Sequence, residues 1–120
     1  MTDFSGLKTG LTAERLVTIE GKHTVSHTGR PVLSTPMMIS LMESVAMHAV
    51  QPQLPAGFTT VGYEVHVRHR APATEGVEIK IGCRLLEVEG RRLLFEVRVS
   101  AGEKTIGEGL HRRTIIPVAG

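Results

Sequence analysis

Apolar and polar residues alternate through most of this chain, with one long departure. Residues 11–19 are rich in strand formers, with Val17 and Ile19 two apart. Gly21-Lys22 breaks that run, and residues 23–27 extend or pair with it, until Thr28-Gly29-Arg30-Pro31 supplies turn chemistry. From residue 37 to 50 the period changes. Met37, Met38, Ile39, Leu41, Met42, Val45, Ala46, Met47, Ala49 and Val50 surround a helical axis, and only Ser40, Glu43, Ser44 and His48 share a polar side. A helix apolar almost all round predicts a buried central element. Thr35-Pro36 predicts its start, with Thr35 as the cap, because proline at the first helical position gives up an N–H that would find no partner there. Pro52 predicts its end.

Beyond the helix, period two returns. Across residues 61–70, Tyr63, Val65, Val67 and His69 fall on one face, with Gly62, Glu64, His66, Arg68 and Arg70 on the other. Val77, Ile79, Ile81, Cys83 and Leu85 form the next apolar face, and the adjacent Leu85-Leu86 predicts a bulge. Glu89-Gly90 and Ala101-Gly102 predict turns around a strand that carries Leu93, Phe95, Val97 and Val99. Residues 105–116 close with one more long strand. One buried helix and a long antiparallel meander predict an α+β domain with the sheet wrapped around the helix.

Size and composition narrow the picture. A chain of 120 residues is read as one domain over 1–120. A domain this small buries only about two thirds of its unfolded surface, so pairing with a second copy would help it. Residues 1–10 read as a loose lead-in without the basic-then-apolar pattern of a signal peptide. No apolar run reaches the ~20 residues that span a bilayer. Cys83 is the single cysteine, which excludes an intramolecular disulfide and offers no zinc pattern. The expected compartment is the cytoplasm, and no membrane partner is expected. The net charge of +2 is mild and interspersed, and one Tyr, three Phe and no Trp make a poor stacking platform for nucleic acid. A small anionic ligand carrying phosphates fits that balance better.

Three polar groups stand out against the apolar background. Glu43 lies two turns inside the helix, where a carboxylate is costly unless it is paired. Burial there would raise its pKa toward general-base or nucleophilic work, whereas a place at the edge of the polar stripe would let it reach water. His69 lies in phase with Val65 and Val67, and its spacing alone fits an ordinary satisfied histidine as well as a proton carrier. Thr35 is a helix cap first, and a helix start also offers N–H groups to an oxyanion. Eight helical residues put Thr35 and Glu43 about 12 Å apart along the axis, so they cannot meet within one regular helix. Either the first turn is irregular or two subunits complete each site. Arg112 and Arg113 alternate on the last strand, one inward and one outward. Arg68, Arg70, Arg91 and Arg92 suit phosphate contacts or solvated faces equally. Cys83 and the helix methionines read as core. His23, His27, His48 and His111 show no metal spacing and are assigned no site.

The ordered set Lys22-His23-Thr24-Val25-Ser26-His27, residues 35–43 with Leu41-Met42-Glu43, Val67-Arg68-His69-Arg70-Ala71, Val88-Glu89-Gly90-Arg91-Arg92-Leu93, and residues 107–113 resembles the fluoroacetyl-coenzyme A thioesterase family of the hotdog fold. The resemblance implies a homodimer, or a dimer of dimers, whose interfacial sites hydrolyse acyl-CoA thioesters. It implies a catalytic set of Thr35, Glu43 and His69, with Gly62 lining the acyl site and Arg113 contacting ligand or orienting the site. It implies no metal and no cofactor beyond the coenzyme A of the substrate. The chain departs from the family at Gly29-Arg30-Pro31, where a bulkier lid is expected, and at Ser44, where a large aromatic is expected. Selectivity for fluoroacetyl groups therefore does not follow. The same fold holding an acyl ligand without turnover is the alternative.

Overall fold

The computed structural model describes residues 4–26 and 29–119. His27 and Thr28, which end the expected second strand segment and open the expected turn, lie outside the described residues, as do the first three residues of the lead-in. The elements run β1 (Thr12–Thr18), β2 (Thr24–Val25), β3 (Val32–Leu33), α1 (Thr35–Val50), β4 (Phe58–His69), β5 (Glu78–Glu89), β6 (Arg92–Ala101) and β7 (Lys104–Pro117). Five strands form one antiparallel sheet in the order β1-β5-β6-β7-β4, and α1 packs across β1, β4, β5 and β6. The architecture is α+β, one long helix against an antiparallel sheet. Among the described residues, no helix is long and apolar enough to cross a membrane.

The core follows the two periods. Met38, Met42, Val45, Ala46 and Val50 of α1 meet Ile79, Ile81, Cys83 and Leu85 of β5 and Leu93, Phe95, Val97 and Val99 of β6. Burial raises the pKa of the Cys83 thiol, and a backbone hydrogen bond at Ala13 only partly opposes it. The helix is less enclosed than its composition predicts. Met37, Ile39, Leu41, Met47 and Ala49 are only half-buried, so one apolar flank of α1 keeps contact with water in the single chain.

Turn chemistry sets the meander. Gly90 and Gly102 each open a two-residue hairpin loop with φ near +60°, which a side chain rarely adopts. The expected bulge in β5 is present as a register shift between Leu85 and Glu87. Two expectations are corrected. The segment after Gly21 turns through a short 3-10 helix, and Thr24–Val25 pairs with Val32–Leu33 rather than with β1. A second bulge, not foreseen, shifts the β4–β7 register between Gly62 and Glu64.

That bulge changes the chemistry of β4. Residues directly opposite in an antiparallel pair project to the same face. Gly62 faces Arg113, Val65 faces His111, Val67 faces Gly109 and His69 faces Gly107. The extra residue at Tyr63 therefore brings Gly62 onto the His69 face, where strict alternation separates them. Among the described residues β4 is also an edge strand that pairs only with β7, and its Val61, Tyr63 and Val65 side chains are exposed.

Candidate active site

The first turn of α1 is capped by Ser34, not Thr35. Ser34 has extended backbone angles (φ −77°, ψ 149°), and its Oγ accepts from the Met37 N–H at 3.1 Å. Thr35 and Pro36 follow as the first two helical residues. Both Ser and Thr cap well, so the backbone geometry decides between them. The correction matters because it frees the Thr35 hydroxyl. Its Oγ1 lies 2.8 Å from His69 Nδ1, joining the helix start to the end of β4. The other ring nitrogen, Nε2, is buried and has no hydrogen-bond partner among the described residues. Of the first-turn donors, Pro36 has no N–H, Met37 serves Ser34 Oγ and Met38 serves the Ser34 carbonyl. Of these donors, only the Thr35 N–H has no acceptor among the described residues.

Glu43 forms a second group, two turns further along. Its side chain is 39% exposed, so it stands at the edge of the polar stripe and is not enclosed in the core. Its Oε2 lies 4.0 Å from Arg113 Nη1. It also presses on the bare backbone of Gly62, where an added Cβ would come within 2.8 Å of that oxygen. A shallow cavity of ≈ 290 Å³ opens beside Glu43, lined by Ser40, Ser44, Met47 and Arg113. Hollows on the outer sheet face, such as the one lined by Glu14, Arg84, Glu96 and Arg98, carry both charge signs and read as solvated strand surface.

Arg113 is the inward arginine of the pair, 6% exposed, while Arg112 turns outward to Glu64 Oε1 at 2.8 Å. A buried guanidinium needs its donors engaged. Nε donates to Thr60 Oγ1 at 2.8 Å, Nη2 to the Thr60 carbonyl at 3.0 Å and Nη1 to His111 Nε2 at 3.1 Å. Burial lowers the Arg113 pKa, and the Glu43 carboxylate partly restores it. His111 is 1% exposed and stacks on Phe95, with ring centroids 6.2 Å apart. The sequence reading gave it no site. A signal was present: His111 and Arg113 lie two apart on β7, hence on one face.

The five residues singled out in the sequence thus fall into two groups. Thr35 and His69 are brought together, and Glu43, Gly62 and Arg113 are brought together, with His111 and Thr60 added behind them. Thr35 and Glu43 do not meet within the chain, since α1 is regular from Thr35 to Val50. Among the described residues, no three His, Cys, Asp or Glu side chains are grouped to hold a metal ion.

Known proteins resemble this chain in sequence and in fold. A family model described as fluoroacetyl-CoA-specific thioesterase (FlK) matches residues 12–119. The fluoroacetyl-CoA thioesterase of Streptantibioticus cattleyicolor is 35% identical over 85 residues, which is 71% of this chain and 61% of that protein's length. A solved structure of the fluoroacetyl-CoA thioesterase FlK superposes with a TM-score of 0.86 at 28% identity, covering 92% of this chain and 89% of the other. A point mutant of FlK in complex with fluoroacetate and CoA gives 0.86 at 28% identity, over 93% of this chain and 97% of the other. A hot-dog-like protein from Thermanaerovibrio acidaminovorans gives 0.88 at 20% identity, over 95% and 87%, and bears on the fold alone. The fold is the hotdog fold.

Proposed function

The chain belongs to the family of fluoroacetyl-CoA-specific thioesterases, a family of thioester hydrolases, and on that premise we propose that it hydrolyses a short or compact acyl-CoA to the free acid and coenzyme A. The observation that carries the reading is the pair of half-sites. A hydroxyl and an imidazole share a 2.8 Å hydrogen bond at the helix start. A carboxylate backed by a buried arginine stands two turns away.

In this reading the Glu43 carboxylate either activates the water that attacks the thioester carbonyl, or attacks it directly to form an acyl anhydride that water then opens to the free acid. Arg113, 4.0 Å away, aims that carboxylate. Thr35 polarises the carbonyl through its N–H and hydroxyl, where the oxyanion develops. As the C–O bond forms and the C–S bond breaks, His69 carries a proton to the leaving thiolate. Gly62 lets the Glu43 carboxylate lie close against the strand that lines the acyl site. No metal or redox cofactor takes part, and coenzyme A enters with the substrate. The reaction belongs in the cytoplasm.

Two subunits complete each site in this proposal. Gly62, under Glu43, and His69, bonded to Thr35, are seven positions apart on the exposed edge of β4. If two copies of β4 pair antiparallel about a two-fold axis near Val65 and His66, His69 of one copy lies opposite Gly62 of the other. The unpaired edge and the exposed Val61, Tyr63 and Val65 support such a homodimer.

The test is thiol release from acetyl-, haloacetyl-, branched, aromatic and long-chain acyl-CoAs, with Glu43→Gln as control. Turnover by the wild type and its loss in the variant are expected, and the rank order of substrates describes the pocket. Calorimetric binding of acyl-CoA without any thiol release would instead assign a non-catalytic ligand-binding dimer.

A further inference from the structure

We propose that His111 is a positioning residue for this site: a neutral imidazole that fastens the β4 bulge on one side and holds the Arg113 guanidinium against Glu43 on the other. The inference rests on the thioesterase reading for its kinetic consequence, but its geometry stands without it.

The hydrogen-bond chemistry allows one arrangement. The Glu64 carbonyl can only accept, so the 2.9 Å contact requires a proton on His111 Nδ1. A guanidinium can only donate, so the 3.1 Å contact from Arg113 Nη1 requires a lone pair on His111 Nε2. Only the Nδ1–H tautomer satisfies both, and an imidazolium satisfies neither the second contact nor the neighbouring positive charge. The Glu64 carbonyl directly follows the bulge at Tyr63, so the Nδ1–H bond holds the backbone that turns Gly62 inward.

Arg113 is then gripped at three points: by the Thr60 hydroxyl, the Thr60 carbonyl and His111. Three anchors fix the plane of the guanidinium and leave the second Nη1 hydrogen facing Glu43. The surroundings keep the ring neutral. Glu43 faces it from α1 and Arg113 from β7. β6 contributes only the uncharged Phe95, and β4 offers the Glu64 carbonyl while the Glu64 carboxylate turns out to Arg112. Burial depresses the His111 pKa most; the Glu64 carbonyl opposes it, Arg113 depresses it further, and Glu43 has the least effect, upward.

Three substitutions separate positioning from mere packing. In His111→Asn the amide nitrogen reaches the place of Nδ1, but no acceptor remains for Arg113. In His111→Gln the amide oxygen reaches the place of Nε2 and restores that acceptor. His111→Phe keeps only the stack on Phe95. We expect Asn and Phe to lower kcat roughly 10- to 100-fold with little change in KM, and Gln to recover most of that loss. In an Arg113→Gln background the Asn loss should vanish, because there is no guanidinium left to aim, while Phe keeps only the part due to the unfastened bulge. Equal losses in all three variants, or an Asn loss that simply adds to that of Arg113→Gln, overturn the proposal. Nitrogen NMR of the wild-type imidazoles provides a readout free of catalysis. A protonated Nδ1 and bare Nε2 on His111 at neutral pH are expected, and the opposite tautomer refutes the arrangement even if the thioesterase reading stands.

Discussion

Gly62→Ala concentrates the geometry of the site into one methyl group. An added Cβ would lie 2.8 Å from Glu43 Oε2, 2.8 Å from His111 Cε1 and 3.2 Å from Arg113 Nη1. Carbon atoms pack best at about 3.5 Å, so the ring must yield about 0.7 Å. Gly62 is not among the glycines with positive φ, so backbone strain adds nothing and the cost is steric. His111 cannot yield freely, being bonded at both ring nitrogens. Glu43 is the softer neighbour and will move, which separates it from Arg113. Overpacking of this kind costs about 1–3 kcal/mol. At about 4 °C per kcal/mol for a domain of this size, the melting temperature should fall by roughly 4–12 °C. A misplacement approaching 1 Å costs up to about 100-fold in rate, so kcat should drop roughly 10- to 100-fold. Thermal unfolding and thiol release measure the two effects separately. Gly82→Ala is the control, since a Cβ there meets ordinary contacts of 3.7 Å or more. If Gly62→Ala melts and turns over like the wild type, the packing of Glu43 and His111 on this backbone is wrong.

Other perturbations test the remaining parts. Ser34→Ala removes the cap and should cost about 1 kcal/mol in chemical denaturation, whereas Thr35→Ala should leave stability nearly intact and lower the rate; equal stability losses would return the capping role to Thr35. His69→Ala should lower kcat roughly 10²–10⁴-fold, and a drop of only a few-fold in steady-state assays would make it structural. Mixing His69→Ala subunits with Glu43→Gln subunits should restore about a quarter of wild-type activity, because half the dimers are mixed and one of their two sites is intact; no recovery after subunit exchange would exclude sites shared between copies. His111 binds its proton less readily in the folded chain than at its ordinary value of 6.5. The unfolded chain therefore takes up the proton first, and folding stability should fall as pH drops below about 6.5. The denaturation slope against pH in that window should shrink in His111→Gln, and an unchanged slope would count against a depressed His111.

The periods of the sequence located most of the frame. A helix at 3.6 and a meander at 2 were legible because each buried face is paid out in apolar residues, and the Leu85-Leu86 doubling marked its own bulge. The Tyr63 bulge left no such trace, since an exposed edge strand lets Tyr63 and Val61 stand on either face. Ser34 and Thr35 are chemically interchangeable as caps, so the choice rested on backbone angles that no pattern records. Glu43 was left between burial and the edge of the polar stripe, because composition counts apolar neighbours along the helix, whereas exposure depends on which flank the sheet leaves open. His111 has no metal spacing to mark it, although its phase with Arg113 places it inward.

The site's hydrogen bonds also say when it comes into being. Thr35 and His69 are 34 positions apart, Glu64 and His111 are 47 apart, and Thr60 and Arg113 are 53 apart. The β5–β6 and β6–β7 hairpins close over two residues each, so they can form early, whereas β4 must close a long loop before it pairs with β7. The bonds from Thr60 and Glu64 to Arg113 and His111 depend on that pairing. A chain that has gathered α1, β5 and β6 but not yet zipped β4 onto β7 holds most of its core and lacks the anchored Arg113 beside Glu43. Turnover in a refolding experiment would therefore lag behind helix and core signals, and it would time the arrival of a single strand.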